Sequence, residues 1–248
     1  MTVSYATYCI IDSDGEVPEG IAGPQAGTVC NLPYHGIGVA VSSLARPIQD
    51  MVTGAVEHEA VVERLMQTHT VLPMRFPTVF FGQEAVLAMM SQHYDDFRAD
   101  LQRLRNRVEF GVRVMWPVET AKTPGQPPRA DRNSQTRYVA LRDPVPYESS
   151  GRQYMRERYR QYQGRQALWE QAAQFGCKLD AVLSEFATAK RLRRVTTDTF
   201  AFDGVYLIDK DMEAGFRRAF VAAKGSEPCF GYLLSGPWPP YNFVGPQT

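Results

Sequence analysis

Net charge is the first thing this chain lacks: 27 Lys and Arg balance 27 Asp and Glu over 248 residues. No bulk attraction to nucleic acid or anionic lipid follows from such a balance. Apolar runs are short, none approaching the roughly 20 residues of a membrane-spanning helix. The start, Met-Thr-Val-Ser-Tyr, has no charged region ahead of an apolar stretch, which reads as the absence of a secretion signal and predicts a cytoplasmic location. Cysteine is sparse and scattered: Cys9, Cys30, Cys177 and Cys229 stand singly with no CxxC. That spacing supports neither a zinc ribbon nor a thioredoxin-type pair and predicts free thiols in a reducing compartment. Serine never sits in GxSxG, and neither a P-loop nor GxGxxG occurs.

The four histidines offer no metal site either. His58-Glu59 begins like a zinc-protease helix, but Val62 stands where the second histidine belongs. His58 and His69 are eleven residues apart, roughly 16 Å along a helix, too far for one ion. Asp95-Asp96 reads as a solvent-facing pair. Residue types alone therefore predict no catalytic residue, no cofactor and no metal.

What is present is ordinary globular material, 44% hydrophobic and 22% charged, enough for a real core. Tyr5–Ile11 reads as a strand ending at the turn Asp12-Ser-Asp-Gly15, and 27–32 and 36–42 as a hairpin with Ile37, Val39 and Val41 on one face. Pro47 sits where a helix accepts its first residue, predicting a short helix over 45–54. From Ala55 a helix with Val62, Leu65, Met66 and His69 on one side runs into an apolar strand from Thr70 to Met74, bounded by Pro73 and Pro77. Gln83 to Arg105 predicts one helix with Val86, Met90, Tyr94, Phe97, Leu101 and Leu104 in a stripe. Val108 to Trp116 alternates as a half-buried strand. Pro117–Ser150 is Pro-, Gly- and polar-rich, with a brief strand at Tyr138–Arg142, and predicts a linker. Arg152 to Arg191 predicts a long helix, followed by strands at 195–200 and 204–208, a helix over 210–223, a strand over 229–235 and an aromatic, proline-rich tail.

The expected architecture is α+β in two domains. Residues 1–117 form a ferredoxin-like sandwich, 118–150 a linker, and 151–248 an α+β domain with a long helix. Arg152, Arg156, Arg158, Arg160 and Arg165, interleaved with Tyr154, Tyr159 and Tyr162, allow RNA binding or a regulatory role as an alternative function. The competing reading is an amphipathic helix with solvated arginines, which the neutral chain favours. Lys190, Arg191, Arg193 and Arg194 suit the end of that helix.

Four segments carry a resemblance. Glu57-His-Glu-Ala-Val-Val-Glu63 leads into Thr70-Val-Leu-Pro73 and Arg75-Phe76; Leu101–Val114 carries Arg107, Glu109 and Gly111; Ser150–Arg158 opens the second helix; and Ser235-Gly-Pro-Trp-Pro-Pro-Tyr-Asn-Phe-Val244 closes the chain. Together they resemble the gas vesicle protein F/L family, nearer the F type, over almost the whole length. The sequence departs at Asn106 and Pro77, where glycine is common. The resemblance implies a non-enzymatic minor component or assembly factor of gas vesicles, the hollow shells that give aquatic microbes buoyancy. Its implied partners are the hydrophobic shell subunit, gas vesicle protein A, and other gas vesicle accessory proteins, with neither nucleic acid nor membrane. Expected structural or partner residues are His58, Glu59, Arg75, Phe76, Trp238, Tyr241 and Phe243. Arg75 is expected at a buried edge, paired with Glu59 or Glu109, and the tail is expected to dock on its own chain or to present Trp238, Tyr241 and Phe243 to a partner.

Overall fold

The computed structural model describes residues 3–116, 147–193 and 200–245. Two antiparallel sheets organise them. The first has β1 (Ser4–Ile11) at its centre, flanked by β3 (Ile37–Leu44) and, on the other side, by β4 (Val71–Pro73) and β5 (Val79–Phe81); β2 (Cys30–Tyr34) lies outside β3. The order β2-β3-β1-β4 is that of a ferredoxin-like sheet. A ferredoxin-like fold places a helix between its first two strands, but here residues 12–29 hold only a single 3-10 turn at Pro24–Ala26.

Local chemistry sets the first helix. α1 spans Met51–Met66, later than Pro47 predicts, because the Asp50 side chain accepts the backbone N–H groups of Val52 and Thr53, both at 3.0 Å. Those are two of the donors that a helix start leaves unsatisfied, and carboxylate capping fixes the boundary. α1 presses Val61, Val62 and Leu65 onto Ala6, Tyr8 and Ile11, while Val17, Ile21 and Val29 fill the place of the missing helix. β4 follows with all three residues buried. The stripe over 83–105 is cut into α2 (Gln83–Gln92) and α3 (Tyr94–Leu104) at the single non-helical residue His93. Val86, Met90, Leu101 and Leu104 still share one core with Ile37, Val39 and Val41 on the opposite face of the sheet.

The second sheet corrects the expected boundary at residue 117. β6 (Arg107–Met115) lies inside it, between β8 (Phe200–Asp209) and β9 (Gly231–Trp238), with β7 (Ala187–Leu192) outside β8. Alternation in 108–116 records a pleat and says nothing of which strand lies alongside. With α4 (Tyr147–Ser184) and α5 (Glu213–Ser226), this half is the complete β-α-β-β-α-β arrangement. Asn106, at φ 56, makes the left-handed turn into β6, a conformation asparagine tolerates and glycine favours. α4 ends earlier than expected: Phe175, Leu179 and Leu183 are buried, and the Lys190–Arg193 cluster falls on and just after strand β7. Of the expected linker 118–150, residues 118–146 lie outside the described residues and 147–150 open α4; the expected strand at 138–142 and residues 195–199 also lie outside them.

β8 joins the halves. Tyr206 and Ile208 face Phe110, Phe216 and α4, whereas Val205 and Leu207 face Ile10, Leu72 and Val39 of the first sheet. The second sheet is thus covered on both faces, by its own helices and by the first half.

Candidate functional site

Three of the expected residues meet where the last segment crosses the seam between the halves. Phe243 is fully buried in the shared core with Ile10, Leu72, Val205 and Leu207. The Tyr241 hydroxyl donates to Glu59 of α1 at 2.7 Å. Asn242 donates its backbone N–H to Glu109 Oε2 at 2.8 Å and its side-chain amide to Oε1 at 2.5 Å, placing the tail on β6 as well. Arg103 of α3 donates to the Phe243 carbonyl at 2.6 Å and to Asp100 at 2.5 Å, and Asp100 accepts the Gly245 N–H at 2.7 Å. Trp238 sits half-buried at the end of β9, opposite Glu109. The tail therefore docks on its own chain, one of the two outcomes expected for it.

Burial pushes both Glu59 and Glu109 up from ordinary carboxylate values. The Tyr241 bond opposes this at Glu59, and the two Asn242 bonds, with Arg193 and Arg191 beyond, oppose it at Glu109. These acids hold the tail rather than Arg75, whose side chain is exposed; the expected Arg75 pair is corrected accordingly. Asp100, Arg103 and Asn242 were not singled out from sequence. Only the Asp100/Arg103 spacing of three, which suits a helical ion pair, hinted at them.

His58 is a core histidine. It is 3% exposed, its Nε2–H donates to the Met74 carbonyl at 2.9 Å, and its ring lies between Tyr8 and Phe76, at 5.3 and 5.6 Å. Phe76 in turn rests on α1 at Gly54, where a Cβ would come within 2.8 Å of the ring. Burial lowers the His58 pKa, and the Met74 bond only partly opposes it. Below pH 6.5 the unfolded chain therefore binds the proton first, and stability falls with pH until the folded value is passed. The slope from this one group is at most about 1.4 kcal/mol per pH unit. His58→Gln is expected to remove that part of the slope in urea titrations between pH 7 and pH 5.

A second feature is an open apolar groove of about 790 Å³ at the start of β1. Leu44, Pro47, Ile48, Met51, Val79 and Phe81 are among its lining, and among the described residues Arg46 is its one ionisable side chain. Phe81, Val3 and Met51 on its rim are 74%, 49% and 49% exposed. On the first half of α4, Tyr154, Met155 and Tyr159 are exposed, and Arg158 stacks over Tyr154 at 5.6 Å; the side chains of Tyr162 and Arg165 lie outside the described residues. Among the described residues, no three His, Cys, Asp or Glu converge as metal ligands, and no helix is long and apolar enough to cross a membrane.

Comparison with known proteins gives this geometry a family. The family model for gas vesicle synthesis protein GvpL/GvpF matches residues 5–245. Gas vesicle protein L of a Streptomyces species is 28% identical, the alignment covering 94% of this chain and 89% of the relative. Gas vesicle protein F2 of Halobacterium salinarum is 21% identical, with 96% and 90% covered. The crystal structures of GvpF from Anabaena sp. and from Microcystis aeruginosa both superpose with a TM-score of 0.73 at 17% identity. The first likeness covers 100% of this chain and 98% of that one, the second 98% and 100%. With a match from the first strand to the docked tail, this chain belongs to the gas vesicle synthesis protein GvpL/GvpF family.

Proposed function

We propose that this chain is a non-enzymatic assembly component of gas vesicles that binds the hydrophobic shell subunit, gas vesicle protein A, while the vesicle nucleates and grows. Within that role it works at the vesicle in the cytoplasm, alongside other accessory proteins. The observation that carries the reading is the open apolar groove beside α1, whose rim leaves Val3, Met51 and Phe81 in water. A shell subunit not yet polymerised exposes apolar surface that aggregates, and a complementary apolar surface with one polar end suppresses that. The groove supplies such a surface on a rigid base, because its floor is a three-strand segment of the first sheet.

Co-expression with the shell subunit tests the proposal. The tagged chain is expected to retain the shell subunit through purification, and a clean deletion is expected to yield few or malformed vesicles. Normal buoyant vesicles in the deletion strain, with no shell subunit retained, would overturn it.

A further inference from the structure

The two sheets differ in how their helix-bearing faces are covered. α4 and α5 together cover one face of the second sheet, whereas among the described residues the corresponding face of the first carries α1 and, beside it, the loop with the 3-10 turn at Pro24–Ala26. α1 starts at Met51, and among the described residues no helix lies over the end of the face beyond it, where the groove opens with Val3 and Phe81 exposed at its rim. Ser4 lies opposite Leu44 on one side and Phe81 on the other, so β3, β1 and β5 present one continuous floor. The loop carrying Pro47 and Ile48 forms one wall, with Met51 at the first turn of α1.

We propose that this floor receives one amphipathic helix of a partner, laid beside the first turn of α1, with its apolar stripe downward and an acidic side chain on Arg46. The inference rests on the reading above, in which the partner is the shell subunit, and assigns the place and form of contact. A bare sheet face is covered by a helix, the element whose apolar stripe matches it, whereas an added strand would pair along an edge. The volume of about 790 Å³ suits the three to four inward side chains of about two helical turns. With Arg46 as the lone ionisable lining residue among those described, a neutral or acidic occupant is favoured. That disfavours the arm of a second copy, which carries Arg152, Arg156, Arg158 and Arg160.

Two substitutions on the rim test the site with little risk to the fold, since Phe81 is largely and Met51 about half in water and a Glu at position 51 follows the helix cap, where negative charge is favourable. The double variant Met51→Glu/Phe81→Glu, with an unchanged urea midpoint, is expected to retain at least tenfold less shell subunit than the parent on co-expression. Arg46→Glu is expected to lose severalfold, and Tyr154→Glu/Tyr159→Glu to retain it in full. In the complex, backbone carbon shifts of the isotope-labelled shell subunit are expected to report a helix in the segment that contacts the groove. Full retention by the groove variants would overturn this site and leave the binding reading standing; no retention by the parent chain would overturn both. An extended bound segment would overturn the helix, as would self-association of the parent that the groove variant abolishes.

Discussion

Phe243→Ala is expected to destabilise the chain by about 3–5 kcal/mol, the usual cost of emptying a fully buried phenylalanine site. The ring sits at 0% exposure in a core shared by both sheets, so no single element can shift to close the cavity. Its main chain is also held, through the carbonyl taken by Arg103, and the neighbouring residues are held by Glu109 and Asp100. Loosening the ring therefore weakens bonds that leave buried carboxylates without their donors, which adds to the cavity term. Urea unfolding measures the change. A loss under about 1 kcal/mol, small for a large-to-small core change, would mean the tail contributes little to the folded state.

Gly236→Ala is expected to have the next largest effect. Its φ of 114 lies where L side chains are rarely found, and an added Cβ would stand 2.6 Å from the Glu109 backbone oxygen and 3.2 Å from the Phe110 ring. Neither neighbour is the loose end of a flexible side chain, because both belong to the central strand β6. A cost of about 1–3 kcal/mol for the backbone conformation alone, with the clash in addition, is expected to lift the tail. Limited chymotrypsin digestion should then cut after Tyr241 and Phe243, while the parent resists. Gly225→Ala supplies the contrast: it lies near the end of α5 with open space around it, and the better helix former is expected to add up to about 1 kcal/mol.

Much of the secondary structure was legible because the periodicities were local. The Ile37/Val39/Val41 alternation, the α3 stripe and the passage from α1 into a buried strand each follow from neighbours a few residues away. Partnership was not legible. Nothing in 107–115 names β8 and β9 as its neighbours, so the strand was assigned to the wrong half. The same limit hid the clamp on the tail, since Glu59, Asp100 and Glu109 look like ordinary helix and strand acids until Tyr241, Asn242 and Gly245 arrive beside them. The local pattern carries helix α4 too far because Ala187–Leu192 has the alanine and basic residues of a good helix, and only pairing with β8 makes it a strand. The groove was invisible for another reason. It is defined by what α1 fails to cover, and a sequence pattern records the residues that pack, not the surface left over.

The docking of the final segment has a consequence for how the protein is made. β6 leaves the ribosome well before β8 and β9, its two partners, and the residues that lock both sheets together emerge after both. Until then β6 lacks both partner strands, and the face of the first sheet that Val205, Leu207 and Phe243 complete is covered by α2 and α3 alone, so newly made and prematurely ended chains are the forms most exposed to wrong contacts. A chain stopped before Tyr241 would keep nearly all of its sheets and helices yet lack the bonds to Glu59 and Glu109 and the buried Phe243 ring that fasten them.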